Sequence, residues 1–456
     1  MHIAAGAASV SDVPAYCSEH LFDELATDVN GNGKQHHVQR VSREPVLPRS
    51  AMPGFFSAAL RAMGIVGTGL RALGVASILF TAFAPGAGAA PYVPTDDAVV
   101  LERLPERGDP KLRELKRMRV ALAASPRNLD VAASVARRAI TASRETGDPR
   151  FLGQAQAALS PWWTLSDAPP VVVLLRATIR QSQHDFDGAL ADLDKLLMAN
   201  PRAAQARLTR ATVLTVVGRF AEAQSDCRQL VSAAPPLVVA GCLAPPTSLS
   251  GGAEGAYAGL VQALETPGTD TGTIEWALTL AAEIAQRRGD PVAAERHFVA
   301  ALALDPSDPY LKGAYADFLL DSSRPHDVLP LLAADTKNDA LLLRLVLAEQ
   351  QLPDQREAFV AHRSEMAARF DAARRRGDSL HRREEARFRL AVEADSRGAL
   401  TLARDNWKVQ REPADLRVLI DAARAANNAP TLRLASDWIA QTHLEDKALL
   451  AALAGL

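Results

Sequence analysis

From about Asp96 to the C-terminus, apolar residues recur at intervals of three and four, the period of helices that bury one face. Short polar stretches carrying Gly, Asp or Pro interrupt the pattern repeatedly, so the helices it predicts are short and numerous. The order is clearest between Pro170 and Leu237. There Ala177, Phe186, Ala189, Leu193, Leu196 and Pro201 are matched thirty-four residues later by Ala211, Phe220, Ala223, Cys227, Leu230 and Pro235. One such period accommodates two helices and two turns, so the unit is a helical hairpin. Gly-Asp-Pro triplets beginning at Gly108, Gly147 and Gly289 mark hairpin corners. Glycine accepts the left-handed conformation that ends one helix, aspartate caps the next, and proline fits its first turn.

Small residues where helices cross, a large residue beside them and a closing proline resemble the tetratricopeptide repeat. The resemblance implies an all-α fold, a right-handed superhelical solenoid of stacked helix-turn-helix hairpins. Degenerate helical repeats are expected over 90–169, a regular array over 170–342 with an irregular unit at 238–274, and degenerate helices with a cap over 343–456. In the irregular unit Pro245 and Pro246 are expected to break or displace the first helix. The pattern returns with Trp276, Ala282, Gly289, Ala294, Phe298, Ala301 and Pro306. Past Asp339 the units lose regular length, and a long helix from Asp354 to about Arg376 carries Phe359, Met366, Phe370 and Ala373 on one face.

Hydrophobic content of 48% with only 5% aromatic residues fits close-packed helices better than sheet. A net charge of -2 provides no global field for nucleic acid or an anionic membrane. Residues 1–50 show no periodicity and read as disordered or as an extension ahead of the true start. In the following segment, 51–89, Arg61 and Arg71 precede the apolar run Ala72 to Ala84, which ends in Pro85 and Ala87-Gly88-Ala89. This is the pattern of a secretory signal peptide. The run falls short of the roughly 20 residues that span a bilayer, so no integral span is expected in the mature chain. Export to a periplasm or to the exterior is expected, with an uncleaved anchor or an ordinary buried helix as the alternative.

The sequence contains no HExxH, GxSxG or Walker motif, and it reads as non-enzymatic, with no catalytic residue, cofactor or metal site. Cys227 and Cys242 flank the turn at Pro235, where a disulfide in an exported chain and a reduced buried pair both fit. Arginines at 374–376, 382, 383, 387 and 389 are offset by Asp378, Glu384 and Glu385, as at a solvated helix junction. In the family that the repeats resemble, the first helix of each hairpin lines a concave surface. That correspondence places Gln181, Gln205, Thr212, Trp276, Glu283, Gln286, Arg287, Tyr310 and Asp317 as contacts for a protein or peptide partner. Some family members grip a peptide carboxylate with Lys and Asn, but Leu174, Thr178, Leu208, Thr212, Thr279 and Glu283 occupy those places here, so that clamp is not implied. The alternative is an auxiliary subunit of envelope polysaccharide assembly or export, with Trp162, Trp163, Trp276 and Tyr310 meeting a glycan.

Overall fold

The computed structural model describes residues 109–378 and 380–454. The N-terminal extension, the signal segment and the first part of the 90–169 region lie outside these residues. The first helices are α1 (Pro110–Ala124), α2 (Leu129–Thr146), α3 (Arg150–Ala158), α4 (Pro170–Ser182), α5 (Phe186–Ala199), α6 (Ala204–Val216) and α7 (Phe220–Arg228). They are followed by α8 (Pro236–Ser248), α9 (Ala253–Leu264), α10 (Thr271–Arg287), α11 (Pro291–Leu304), α12 (Pro309–Asp321), α13 (Pro325–Leu332) and α14 (Asp339–Gln350). The chain ends with α15 (Arg356–Arg375), α16 (Arg382–Ala391), α17 (Ser396–Trp407), α18 (Pro413–Ala425), α19 (Ala429–Thr442) and α20 (Lys447–Ala454). From α2 onward each even-numbered helix packs on the odd-numbered helix after it and also touches the next even-numbered helix, as far as α20. This is an all-α helical-repeat solenoid, with the even-numbered helices forming one continuous layer.

The hairpins form for local reasons. Asp290 accepts from the backbone of Ala293 and Pro291 opens α11, while Gly289 adopts φ +71° at the corner. Crossings are closed by alanines such as Ala177, Ala211, Ala282 and Ala294, each fully buried or nearly so. Phe298 fills the adjacent space against Tyr315 and Phe318, at ring separations of 5.5 and 5.7 Å. The thirty-four-residue period also carries a pair that hydrophobic patterning does not reveal. Arg176 meets Asp192 at 2.6 Å, and one period later Arg210 meets Asp226 at 2.7 Å. Each clips the first helix of a hairpin to the second, and Arg207 adds a second guanidinium to the buried Asp226 at 3.1 Å.

Contrary to the sequence expectation, α8 runs through Pro245 and Pro246 to Ser248. Both prolines fall in its last turn, where the missing donors affect only the final i→i−4 bonds. The turn is held from outside. Trp276 of α10 closes on Gly241, where a Cβ would lie 2.5 Å from the indole, and Cys242 is joined to Cys227 of α7 with Cα atoms 5.5 Å apart.

The solenoid also closes on itself. Corners at Gly147, His184, Gly218, Gly251 and Gly289 all have positive φ. Gly147 lies against Asn338, Gly218 against Trp438 and Arg411, Gly251 against His443, and Gly289 against Lys447. His184 lies within the electrostatic reach of Glu384, Arg383 and His381, and burial lowers its pKa to about 3. Five successive corners of the early repeats thus meet the later ones. The backbone N–H of Arg411 donates to the carbonyl of Val216 at 2.8 Å, and that of Ala253 to Glu445 at 2.9 Å. Phe220 and Leu249 join the same apolar core as Leu416 and Leu449, so burial as well as polar contact holds the seam.

Candidate binding cavity

Closure of the seam leaves a cavity of about 360 Å³. Its lining comes only from the even-numbered helices α6 to α20 and the residues at their ends, from Thr215 on α6 to Leu449 on α20. Leu280 and Ile284 of α10, Leu343 of α14 and Leu390 of α16 form apolar wall. Five arginines face the cavity, namely Arg287, Arg344, Arg383, Arg387 and Arg417. Seven carboxylates stand against them, at Glu283, Asp317, Asp321, Glu384, Glu412, Asp421 and Asp446.

Helical spacing determines which of these groups meet. Asp317 accepts from Arg344 of α14 at 2.7 Å and from Arg387 of α16 at 2.6 Å, a bridge among three repeats. Burial works against its ionisation, but the two guanidiniums outweigh it and lower its pKa. One turn along α12, Asp321 has Arg417 at 3.8 Å, and burial raises its pKa. Glu283 accepts from the Tyr310 hydroxyl at 2.5 Å. Burial raises its pKa as well, against the nearby Arg287 charge and the tyrosine bond. Arg287 itself donates to Ser248 Oγ at 3.1 Å.

Of the partner contacts expected from sequence, Glu283, Gln286, Arg287, Tyr310 and Asp317 line this cavity. Gln181, Gln205, Thr212 and Trp276 do not; they are buried. Gln205 bonds Thr209, and Thr212 bonds the Leu208 carbonyl. The reason is packing: the early even-numbered helices are covered on several sides, so polar residues on their inner faces are buried, and Gln205 and Thr212 bond within their own helix. The four aromatics of the glycan alternative belong to separate environments. Trp162 and Trp163 pack partly buried on the N-terminal core, Trp276 sits in the core of α8 to α10, and Tyr310 faces the cavity.

Among the cavity residues that sequence reasoning missed are Asp321, Arg344, Arg383, Arg387 and Arg417. Arg383 and Arg387 had read as part of a solvated junction. Arg383 is instead buried and paired with Glu384 at 3.0 Å, and Arg387 reaches across to α12. Their signal was the i,i+4 spacing of charges on one face, also present in Arg417 and Asp421.

No family model matches the chain, and the comparison with curated proteins found no match. Among solved structures, a Rap protein complexed with Competence and Sporulation Factor is 12% identical, covering 75% of this chain and 93% of its own, with a TM-score of 0.42. The human IFIT1 dimer with PPP-AAAA is 13% identical over 73% of this chain and 86% of its own, with a TM-score of 0.39. A tetratricopeptide repeat protein from Parabacteroides merdae is 13% identical over 68% and 98%, with a TM-score of 0.33. The fold rests on the helix order and packing described above rather than on these similarities.

Proposed function

We propose that the protein is a non-enzymatic, exported adaptor that holds a segment of a protein partner inside the closed solenoid. The observation that carries this reading is the cavity lined by one continuous layer of even-numbered helices, whose wall combines ion pairs with apolar side chains. Such walls fix and orient a ligand by shape and a few polar groups. A cavity of this size admits a chain segment and excludes a folded domain. Two observations support export. An apolar run with arginines ahead of it precedes the array, and Cys227 is joined to Cys242, a linkage that persists in oxidising compartments. The test of binding is crosslinking in the native host followed by purification of the chain. A defined partner should co-purify, and the double charge reversal E283K/R287E should abolish its capture; capture unaffected by that change contradicts the reading. Fractionation tests export separately, and full-length chain confined to the cytosol would count against it.

A further inference from the structure

The cavity's charges do not cancel evenly. Arg344 and Arg387 share Asp317, Arg417 takes Asp421 at 2.8 Å, and Arg383 takes Glu384. Glu283, Asp321 and Asp446 are left without a close guanidinium, and Asp446 is taken up by the backbone N–H of Leu449. No arginine or lysine nitrogen lies within 4.0 Å of Glu283 among the described residues, and Asp321 has only Arg417 at 3.8 Å. Glu283 and Asp321 share one neighbourhood: α10 and α12 touch, and Gln286, one turn along from Glu283, donates to Asp321 at 3.4 Å. Desolvation makes both carboxyls harder to ionise than usual, Glu283 against the nearby Arg287 charge and the half-exposed Asp321 against Arg417.

We propose that this cavity takes a peptide segment bearing a lysine or arginine side chain, whose cationic group lodges by Glu283 and Asp321. The inference rests on the adaptor reading and names what such an adaptor would recognise. The aliphatic stem of a basic side chain suits Leu280 and Ile284 of the same wall. A peptide fits better than a free polyamine because of Arg287. This guanidinium, held by Ser248 Oγ one turn from Glu283, repels a ligand that is cationic along its length and donates to a peptide carbonyl.

The test is isothermal titration of the full chain with Ac-Ala-Lys-Ala-NH2, its norleucine isostere, and spermine. The lysine peptide should bind about tenfold or more tighter than norleucine, and tighter than spermine. E283Q/D321N should erase that preference, and each single variant should reduce it. The same variants are melted in parallel, and D437N on the exposed face of α19 should leave the preference intact. Equal binding of lysine and norleucine, spermine binding at least as well as the lysine peptide, or a preference unchanged in well-folded E283Q/D321N overturns the proposal. A partner that crosslinks normally while the lysine peptide shows no preference removes this inference and leaves the adaptor reading standing.

Discussion

Replacing Gly218 with alanine probes the seam that turns an open array into a closed one. The perturbation has two parts. At φ +81° any L-residue bears the cost of the left-handed conformation, about 1–2 kcal/mol. A Cβ there would also lie 2.6 Å from the Trp438 ring, which cannot easily retreat. Trp407 abuts that ring edge-on at 5.5 Å, Phe220 lies at 6.3 Å, and the Arg411 guanidinium covers it at 5.0 Å. Overpacking against such a fixed group costs about 1–3 kcal/mol more, so about 2–5 in all. Gly268 provides the control, with φ +82° and nothing within 4 Å of its would-be Cβ. G268A therefore isolates the backbone cost of about 1–2 kcal/mol. Urea titration followed by tryptophan fluorescence measures both variants, and amide hydrogen exchange locates the loss. G218A should be the more destabilised by about 1–3 kcal/mol, with faster exchange in α18 to α20 as well as around α6. Equal losses in the two variants, or exchange changes confined to α6 and α7, would refute the closed seam.

Four further outcomes follow from the same packing. F298A, which empties a fully buried ring site, should cost about 3–5 kcal/mol in urea titration and loosen the neighbouring repeats together. D226A strands the buried Arg207 without a carboxylate, while Arg210 keeps Asp194, and a loss of about 3–5 kcal/mol is expected from equilibrium unfolding. Glu275 of α10 has its pKa raised to about 8, first by burial and then by Asp308. The native chain therefore holds this proton where the unfolded chain releases it, so the stabilising contribution is full below about pH 4.5 and is lost as the pH rises through about 8. Thermal melts across that window should show E275Q gaining on the unmodified chain as pH increases. The Cys227–Cys242 link closes a loop of sequence separation 15, and C227S/C242S should lose about 3 kcal/mol relative to the oxidised chain. Two free thiols in exported material by mass spectrometry would remove the basis for that comparison.

The hairpins were legible because their causes are local. A thirty-four-residue period, capping aspartates and corner glycines each act within a few residues, and Phe298, Ala294 and Pro306 stand where the pattern predicts. The seam was not legible. Gly218 meets Trp438 across more than two hundred residues of sequence, and such a contact leaves no period. The candidate site divides along the same line. Glu283, Arg287 and Tyr310 belong to the regular part of the array and were reachable by extending the repeat, whereas Arg387 and Arg417 come from units whose length varies. Gln181 and Gln205 show the converse: inner position on a first helix was read as exposure, but neighbouring helices cover both residues.

The proposed binding mode holds partners from inside the closed solenoid. Its most direct test places a photo-crosslinking amino acid at Tyr310, on the cavity wall, and in a second chain at Val360, 54% exposed on α15. Irradiated in the native host, the chain labelled at 310 should trap a discrete partner, with adducts mapping to one short segment of it, while the chain labelled at 360 should not trap that partner. Equal trapping at both positions, or trapping at 360 alone, would contradict this mode.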